Sequence, residues 1–304
     1  MKIGFVTAMF GDLDFDRVIE IAHKEQYASI EVMCWPLGKA KRRYAGVTHI
    51  DVNDLSQSKL EEIKKKLEEK NISISGLGYY PNPLEAEKEQ SDFYTSHLKK
   101  VIDGAAQLGV SVVNTFIGRD HKKDLEYNKG RFKDVWPSII KHAEKRGVKV
   151  GIENCPMFFT QDEWPGGKNL AVSPSIWRWM FEEIDSPNFG LNYDPSHLVW
   201  QFMDYLKPLE EFKEKLIHVH LKDAKIDFDK LDDVGTLATP LEFHTPKLPG
   251  LGDIDWGEFF SKLTDIRYQG DVVVEVEDRA YEASLETRIG ALRQVRNYMK
   301  QYLP

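Results

Sequence analysis

The chain has 304 residues, 41% of them hydrophobic and 30% charged, with a formal net charge of −8. That length and composition suit a globular protein of one large domain or two small ones, and the acidic balance speaks against phosphate-backbone binding, so nucleic acid is not an expected partner. No apolar run approaches the ~18 residues a membrane span needs, and two cysteines, Cys34 and Cys155, make no disulfide framework, which fits a cytoplasmic protein.

Read in order, the chain alternates strand and helix. Residues 3–7 form a first strand rather than the longer apolar core of a signal peptide. Helix 14–26 follows, with Phe15, Val18, Ile19 and Ala22 on one face. Strand 29–33 leads into a loop with the basic run Lys39, Lys41, Arg42 and Arg43, which reads as a solvated loop. Helix 56–70 places Leu60, Ile63 and Leu67 at helical spacing behind a Ser56 cap. Strand 72–77, helix 91–108, strand 111–116 and helix 127–146 come next, with Gly109 and Gly147 as stops. Strand 148–153 precedes a helix opened by Ser173-Pro174. Strand 189–193, helical run 198–212, strand 216–220, helix 255–264, strand 272–275 and helix 280–302 complete the pattern.

Repeated βα alternation implies a parallel sheet. Eight units in a chain of this length predict one (β/α)8 barrel over residues 1–304, with its active site at the C-terminal ends of the strands. Three loops are long: 34–55, 154–172 and 222–254, after strands 2, 5 and 7. Their aromatic, Gly- and Pro-punctuated sequence fits lids over a site.

Four strands end on residues that ligate metals: strand 5 on Glu153, strand 6 on Asp194, strand 7 on His220 and strand 8 on Glu275. A carboxylate at the last rung of a buried strand must find a partner. Consecutive strands of a closed barrel bring their ends to one point, so the four predict a site for one divalent ion: Mn²⁺, Co²⁺, Mg²⁺ or Zn²⁺.

The segments G-I-E-N (151–154), N-Y-D-P-S-H (192–197), H-V-H-L-K-D (218–223), P-G-L-G-D-I-D-W (249–256) and V-V-V-E-V-E-D (272–278) together resemble the xylose isomerase-like TIM-barrel superfamily. Within it they are similar to the sugar phosphate isomerase/epimerase branch, with its ketose 3-epimerases, inosose dehydratases and hydroxypyruvate isomerases. The resemblance implies a metal on Glu153, Asp194, His220 and Glu275. It also implies that Glu153 and Glu275 exchange protons with a carbon next to a carbonyl through a metal-stabilised enediolate. His197 matches a substrate-oxygen contact, with helix capping as the alternative; Lys222 reads either as an oxyanion-stabilising or steering group or as an ion-pair partner of Asp223 or Glu277; and Arg279 reads as a surface ion pair, with phosphate or hydroxyl binding as the alternative. Trp35, Tyr79, Tyr80, Phe158 and Trp164 are candidate aromatic walls for a sugar ring. His218 reads as a barrel-interior residue, His244 as a minor candidate, and the cysteines as buried inert thiols.

Two positions depart from the epimerase pattern. Met157, Phe158 and Phe159 stand where it has a substrate-binding glutamate, and Ile226 stands where it has an arginine. The expected function is therefore a metal-dependent sugar isomerase or epimerase. The alternatives are a lyase on the same metal (inosose-type dehydration or β-elimination from a 3-keto-glycoside) and a non-catalytic sugar-binding barrel. Endonuclease IV resembles the chain at Glu153, Asp194, His197, His220 and Glu275, but strands 3 and 4 end in G-L-G-Y-Y and V-N-T-F, without its histidines. The expected partner is a small sugar or sugar derivative, and the family resemblance makes a homodimer or homotetramer plausible.

Overall fold

The computed structural model describes residues 1–38, 43–158 and 166–303. Eight strands form its centre: β1 (Ile3–Val6), β2 (Ser29–Met33), β3 (Ser73–Gly78), β4 (Val112–Thr115), β5 (Lys149–Glu153), β6 (Phe189–Tyr193), β7 (Leu216–Leu221) and, last in the chain, β10 (Val272–Val274). They close into a barrel in the order β1, β10, β7, β6, β5, β4, β3, β2, and every neighbouring pair is parallel. The predicted (β/α)8 architecture is the observed one.

The helices begin where side chains satisfy free backbone N–H groups. Asp14 accepts from Arg17 N ahead of α1 (Phe15–Lys24), and Ser56 from Lys59 N ahead of α2 (Gln57–Lys70). α3 (Lys88–Leu108) and α4 (Leu125–Arg146) stop at Gly109 and Gly147, both in the left-handed conformation at φ +77° and +67° that glycine adopts without strain. α5 (Pro174–Glu183) has proline in its first turn. The main core lies between strands and helices. Trp136 and Trp177 are completely buried there, with indole N–H groups donating to Ile117 O at 3.1 Å and Ala171 O at 2.8 Å.

Two expected helices are shorter than their sequence pattern. The run 198–212 divides into α6 (Ser196–Val199) and α7 (Lys207–Glu211). Between them Phe202 takes φ +56°, and the Asp204 carboxylate accepts from Leu206 N and Lys207 N, which restarts the helix. The final helix, α10 (Leu285–Met299), starts at a Ser284–Thr287 capping box rather than at 280.

The segment after β7 has structure of its own. β8 (Asp223–Ile226) and β9 (His244–Lys247) pair antiparallel, with α8 (Phe228–Val234) between them, before α9 (Trp256–Asp265) resumes the barrel pattern. Both ends of this excursion meet at Asp223. Its Oδ1 accepts from Ala224 N at 2.9 Å and Ile254 N at 3.2 Å, and its Oδ2 from Gly250 N and Trp256 Nε1, both at 2.9 Å. Of the basic run, Arg43 donates to Glu277 O at 3.1 Å and pairs with Glu282; Lys39, Lys41 and Arg42 lie outside the described residues, as do Phe159 and Trp164.

Candidate functional site

Alternation along a strand sends every second side chain into the barrel. The usual filling is branched aliphatic. Here Glu31, Asn114, Asn192, His218 and His220, all at most 1% exposed, put a polar layer in its place. Above it β5 delivers Glu153, β6 leads to Asp194, β7 continues from His220 to Lys222, and β10 is followed by Glu275 and Glu277. Glu153, Asp194, His220 and Glu275 each bring a ligand-type atom within 4.8 Å of the others, as the strand-end pattern predicts.

Backbone clasps fix these ends. Asn154 Nδ2 donates to Asp194 O at 2.9 Å, and Asp194 N donates back to Asn154 Oδ1 at 2.8 Å, tying β5 to β6. Asn169 donates to the carbonyls of Glu153 and Cys155 while accepting from Ile117 N and Gly118 N. Asp194 Oδ1 accepts from Ser196 N at 2.8 Å, which leaves Oδ2 for the cluster.

Lys222, 2% exposed, occupies the middle of the acidic set. Its Nζ lies 2.6 Å from Glu275, 3.0 Å from Asp194, 3.1 Å from Glu277 and 3.9 Å from Glu153. Burial works against the ammonium, but Asp194, Glu275 and Glu277 keep it charged, with a pKa well above the ordinary lysine value. Lys222 Nζ also stands 3.0 Å from His197 Nε2. The same Nε2 also faces the carboxylates of Asp194 and Glu153, so the imidazole is shared between the ammonium and the acidic set. The two glutamates diverge. Burial would raise Glu153, yet the His197 and His220 rings and the Lys222 charge hold it well below the usual carboxylate range. Burial, with repulsion from Glu153 and Glu277, pushes Glu275 up to about 7 despite Lys222.

The residues fit a divalent ion. Among the described residues, the buried His220 Nδ1 has no hydrogen-bond partner. It faces Glu153 Oε1 and Glu275 Oε2, each 3.7 Å away, too far for a hydrogen bond. Asp194 Oδ2 meets Lys222 only as an ion pair and likewise accepts no hydrogen bond. Three carboxylates and one imidazole aimed at a common point make a donor set for a hard or borderline cation.

Other expected residues divide. His197 belongs to the cluster, 3.3 Å from Asp194 and 3.6 Å from Glu153. His218 is interior, bonded to Asn192 Oδ1 and Ser75 Oγ. Phe158, half-buried, packs edge-on against Trp200 and lines a cavity of about 270 Å³ with Pro156, Val172, Phe202 and Phe243. His244 stacks on Trp200 with ring centroids 5.0 Å apart. Tyr79 is fully buried and packs edge-on against Trp35 and His97. Trp35, half-buried, is therefore committed to Tyr79 on one side. The inward residue is Tyr80, whose hydroxyl bonds Glu31. Arg279 is exposed in a single turn, Arg279–Tyr281. Cys34 is buried and inert as expected, but Cys155 is half-buried and its thiol faces His197 and Glu153, a pairing invisible in the sequence. Tyr80 and Phe116 stand at the ends of β3 and β4, where a three-zinc nuclease centre would place histidines.

Glu31 and Asn154 are the residues that sequence reasoning missed. A charge in the middle of S-I-E-V-M was a visible signal, because a glutamate inside a buried strand needs a partner.

A family model described as xylose isomerase-like TIM barrel matches residues 19–302. The chain is 36% identical to inosose dehydratase of Clostridium perfringens (strain 13 / Type A), over 84% of this chain and 86% of that one. It is 28% identical to the Bacillus subtilis (strain 168) protein YfiH, over 97% and 99% of the two chains. The solved structure of the IOLI protein with a binding zinc atom superposes with a TM-score of 0.73 at 19% identity, covering 100% of this chain and 99% of that one.

Proposed function

The chain belongs to the xylose isomerase-like TIM-barrel family, and we propose that it is a divalent-metal-dependent isomerase or epimerase of a small sugar or sugar derivative. The observation that carries this reading is the convergence of Glu153, Asp194, His220 and Glu275, whose ligand-type atoms all lie within 4.8 Å of one another. Two of the four are glutamates that face the same His220 Nδ1 at 3.7 Å, so both carboxylates reach one point where a proton can be taken from carbon and returned. Glu153, Asp194, His220 and Glu275 would hold the ion, which when bound polarises a carbonyl oxygen and makes the neighbouring C–H acidic.

Glu153, on β5, takes the proton from that carbon. Glu275, after β10 and three places round the barrel, returns one from another direction, giving the epimer or the shifted carbonyl. The buried His197 Nδ1 has no hydrogen-bond partner among the described residues and, when protonated, offers a hydrogen bond to a substrate oxygen. Phe158, Trp200 and the adjacent cavity supply an apolar wall that excludes water.

A second reading, a lyase, is favoured by Lys222. Its ammonium, 2.6 Å from Glu275, can protonate a departing oxygen. The same first proton abstraction is then followed by cleavage of the C–O bond at the β-carbon, and its electrons leave with the oxygen as water or an alcohol. The Clostridium perfringens relative's name, inosose dehydratase, belongs to this class.

The test is incubation of Mn²⁺-loaded protein in D₂O with ketoses, inososes and 3-keto-glucosides, followed by NMR and mass spectrometry. Deuterium next to the carbonyl together with a new epimer or isomer supports the primary reading. Loss of water or an alcohol transfers it to the lyase. Metal uptake with no exchange on any compound refutes both.

A further inference from the structure

His220 has two buried nitrogens in different surroundings. Nδ1 faces Glu153 and Glu275 and has no hydrogen bond among the described residues. Nε2 lies on the opposite edge of the ring, 2.8 Å from Glu31 Oε2. Glu31 comes from β2, on the other side of the barrel, and is completely buried. Three donors converge on its two oxygens: the Tyr80 hydroxyl on Oε1, and Asn114 Nδ2 at 3.0 Å and His220 Nε2 on Oε2. The niche is made for it. A Cβ at Gly78 would sit 2.7 Å from Glu31 Oε1 and 2.1 Å from Met33 Cε, so a larger residue at 78 would have to displace these side-chain ends.

A carboxylate oxygen has no proton to give, so Nε2 must be the protonated nitrogen. Asn192 Nδ2, 3.0 Å from the same Nε2, also reaches the Tyr80 hydroxyl at 3.2 Å and is not needed there. When the ring is neutral, as a metal ligand must be, its lone pair is therefore on Nδ1, which faces the acidic cluster.

We infer that Glu31 is a positioning residue: it holds the His220 proton on Nε2 and presents Nδ1 to the divalent ion. This rests on the metal reading above but assigns a residue that the strand-end pattern does not contain. A carboxylate behind a ligating histidine fixes the ring's orientation and raises its basicity, and losing such a partner costs 10–100-fold in metal affinity.

The test uses ¹⁵N-histidine-labelled protein loaded with ¹¹³Cd²⁺, and Zn²⁺ titrations of the metal-free wild type and Glu31→Gln. In the wild type we expect cadmium coupling on the Nδ1 of one histidine whose Nε2 carries a proton. In Glu31→Gln, whose single oxygen cannot serve three donors, zinc affinity falls 10- to 100-fold and the protonated Nε2 signal weakens or shifts. Cadmium coupled through Nε2 in the wild type overturns the inference without any variant, so a Glu31→Gln protein that fails to fold does not protect it. Wild type and Glu31→Gln binding equally tightly through the same nitrogen removes Glu31's role and leaves the metal site standing. A wild type that takes up neither ion ends the metal reading and this inference together.

Discussion

Lys222→Met removes the one ammonium that, among the described residues, touches the acidic cluster, while keeping most of the side chain's bulk. In the metal-free protein it leaves Asp194, Glu275 and Glu277, now 2.6–3.1 Å from Nζ, without that charge. Breaking a buried pair costs about 3–5 kcal/mol. The side chains of Glu275 and Glu277 keep 19% and 29% of their exposure, so the lower end, about 3 kcal/mol, is the expectation. An unfolding entropy of about 2.1 cal/mol/K per residue over 304 residues makes that a fall in Tm of about 5 °C. Scanning calorimetry of chelator-treated protein measures it. Excess Mn²⁺ or Zn²⁺ should then raise the variant's Tm by more than the wild type's, because the ion supplies positive charge that Lys222 no longer does; saturation at 100-fold above Kd adds about 2.7 kcal/mol on its own. A metal-free variant melting within about 1 °C of wild type would refute the reasoning, as would equal metal-induced shifts in the two proteins.

Further outcomes can be checked in parallel. Glu153→Gln and Glu275→Gln should each lower turnover by about 10²–10⁴-fold on whichever substrate exchanges deuterium, with unchanged circular dichroism; full activity in either removes the two-glutamate mechanism. Asn154→Ala strips the clasp between β5 and β6 and leaves Asp194 N and O without their partner, so urea unfolding should show a loss of about 2–4 kcal/mol. His244 is held down to about 4, by burial above all, so it is neutral when folded, whereas the unfolded chain protonates it near 6.5. The unfolded state thus binds more protons between these values, and stability falls as pH drops from 6.5 toward 4. His244→Phe, which keeps a ring against Trp200, should flatten that part of the pH–stability curve in denaturant melts, and an unchanged slope would exclude His244 as its source.

The barrel was legible because strand and helix periods alternate cleanly along the chain, and the four-residue cluster because each member ends a strand. What escaped was set by contacts across the barrel. Glu31 meets His220 across 189 positions of sequence, and no local pattern announces that. Tyr79 and Tyr80 are adjacent and chemically alike; which one enters the barrel depends on the phase of β3, fixed by the register of Leu77 and Gly78 against β4. The segment after β7 passed as a loop because β8 and β9 are four residues each and one carries Pro246, too little for a period to show. Arg279 follows a strand end as the cluster members do, but the backbone turns at Asp278, whose side chain accepts from Ala280 N, and Arg279 is exposed there.

The Asp223 clasp stands between the cluster and the cavity wall. Both ends of the excursion are pinned to one carboxylate beside Lys222, while Pro240 and Phe243, farther out in the excursion, line the cavity. A change confined to residues 227–243 is therefore expected to reshape the cavity before it disturbs the cluster.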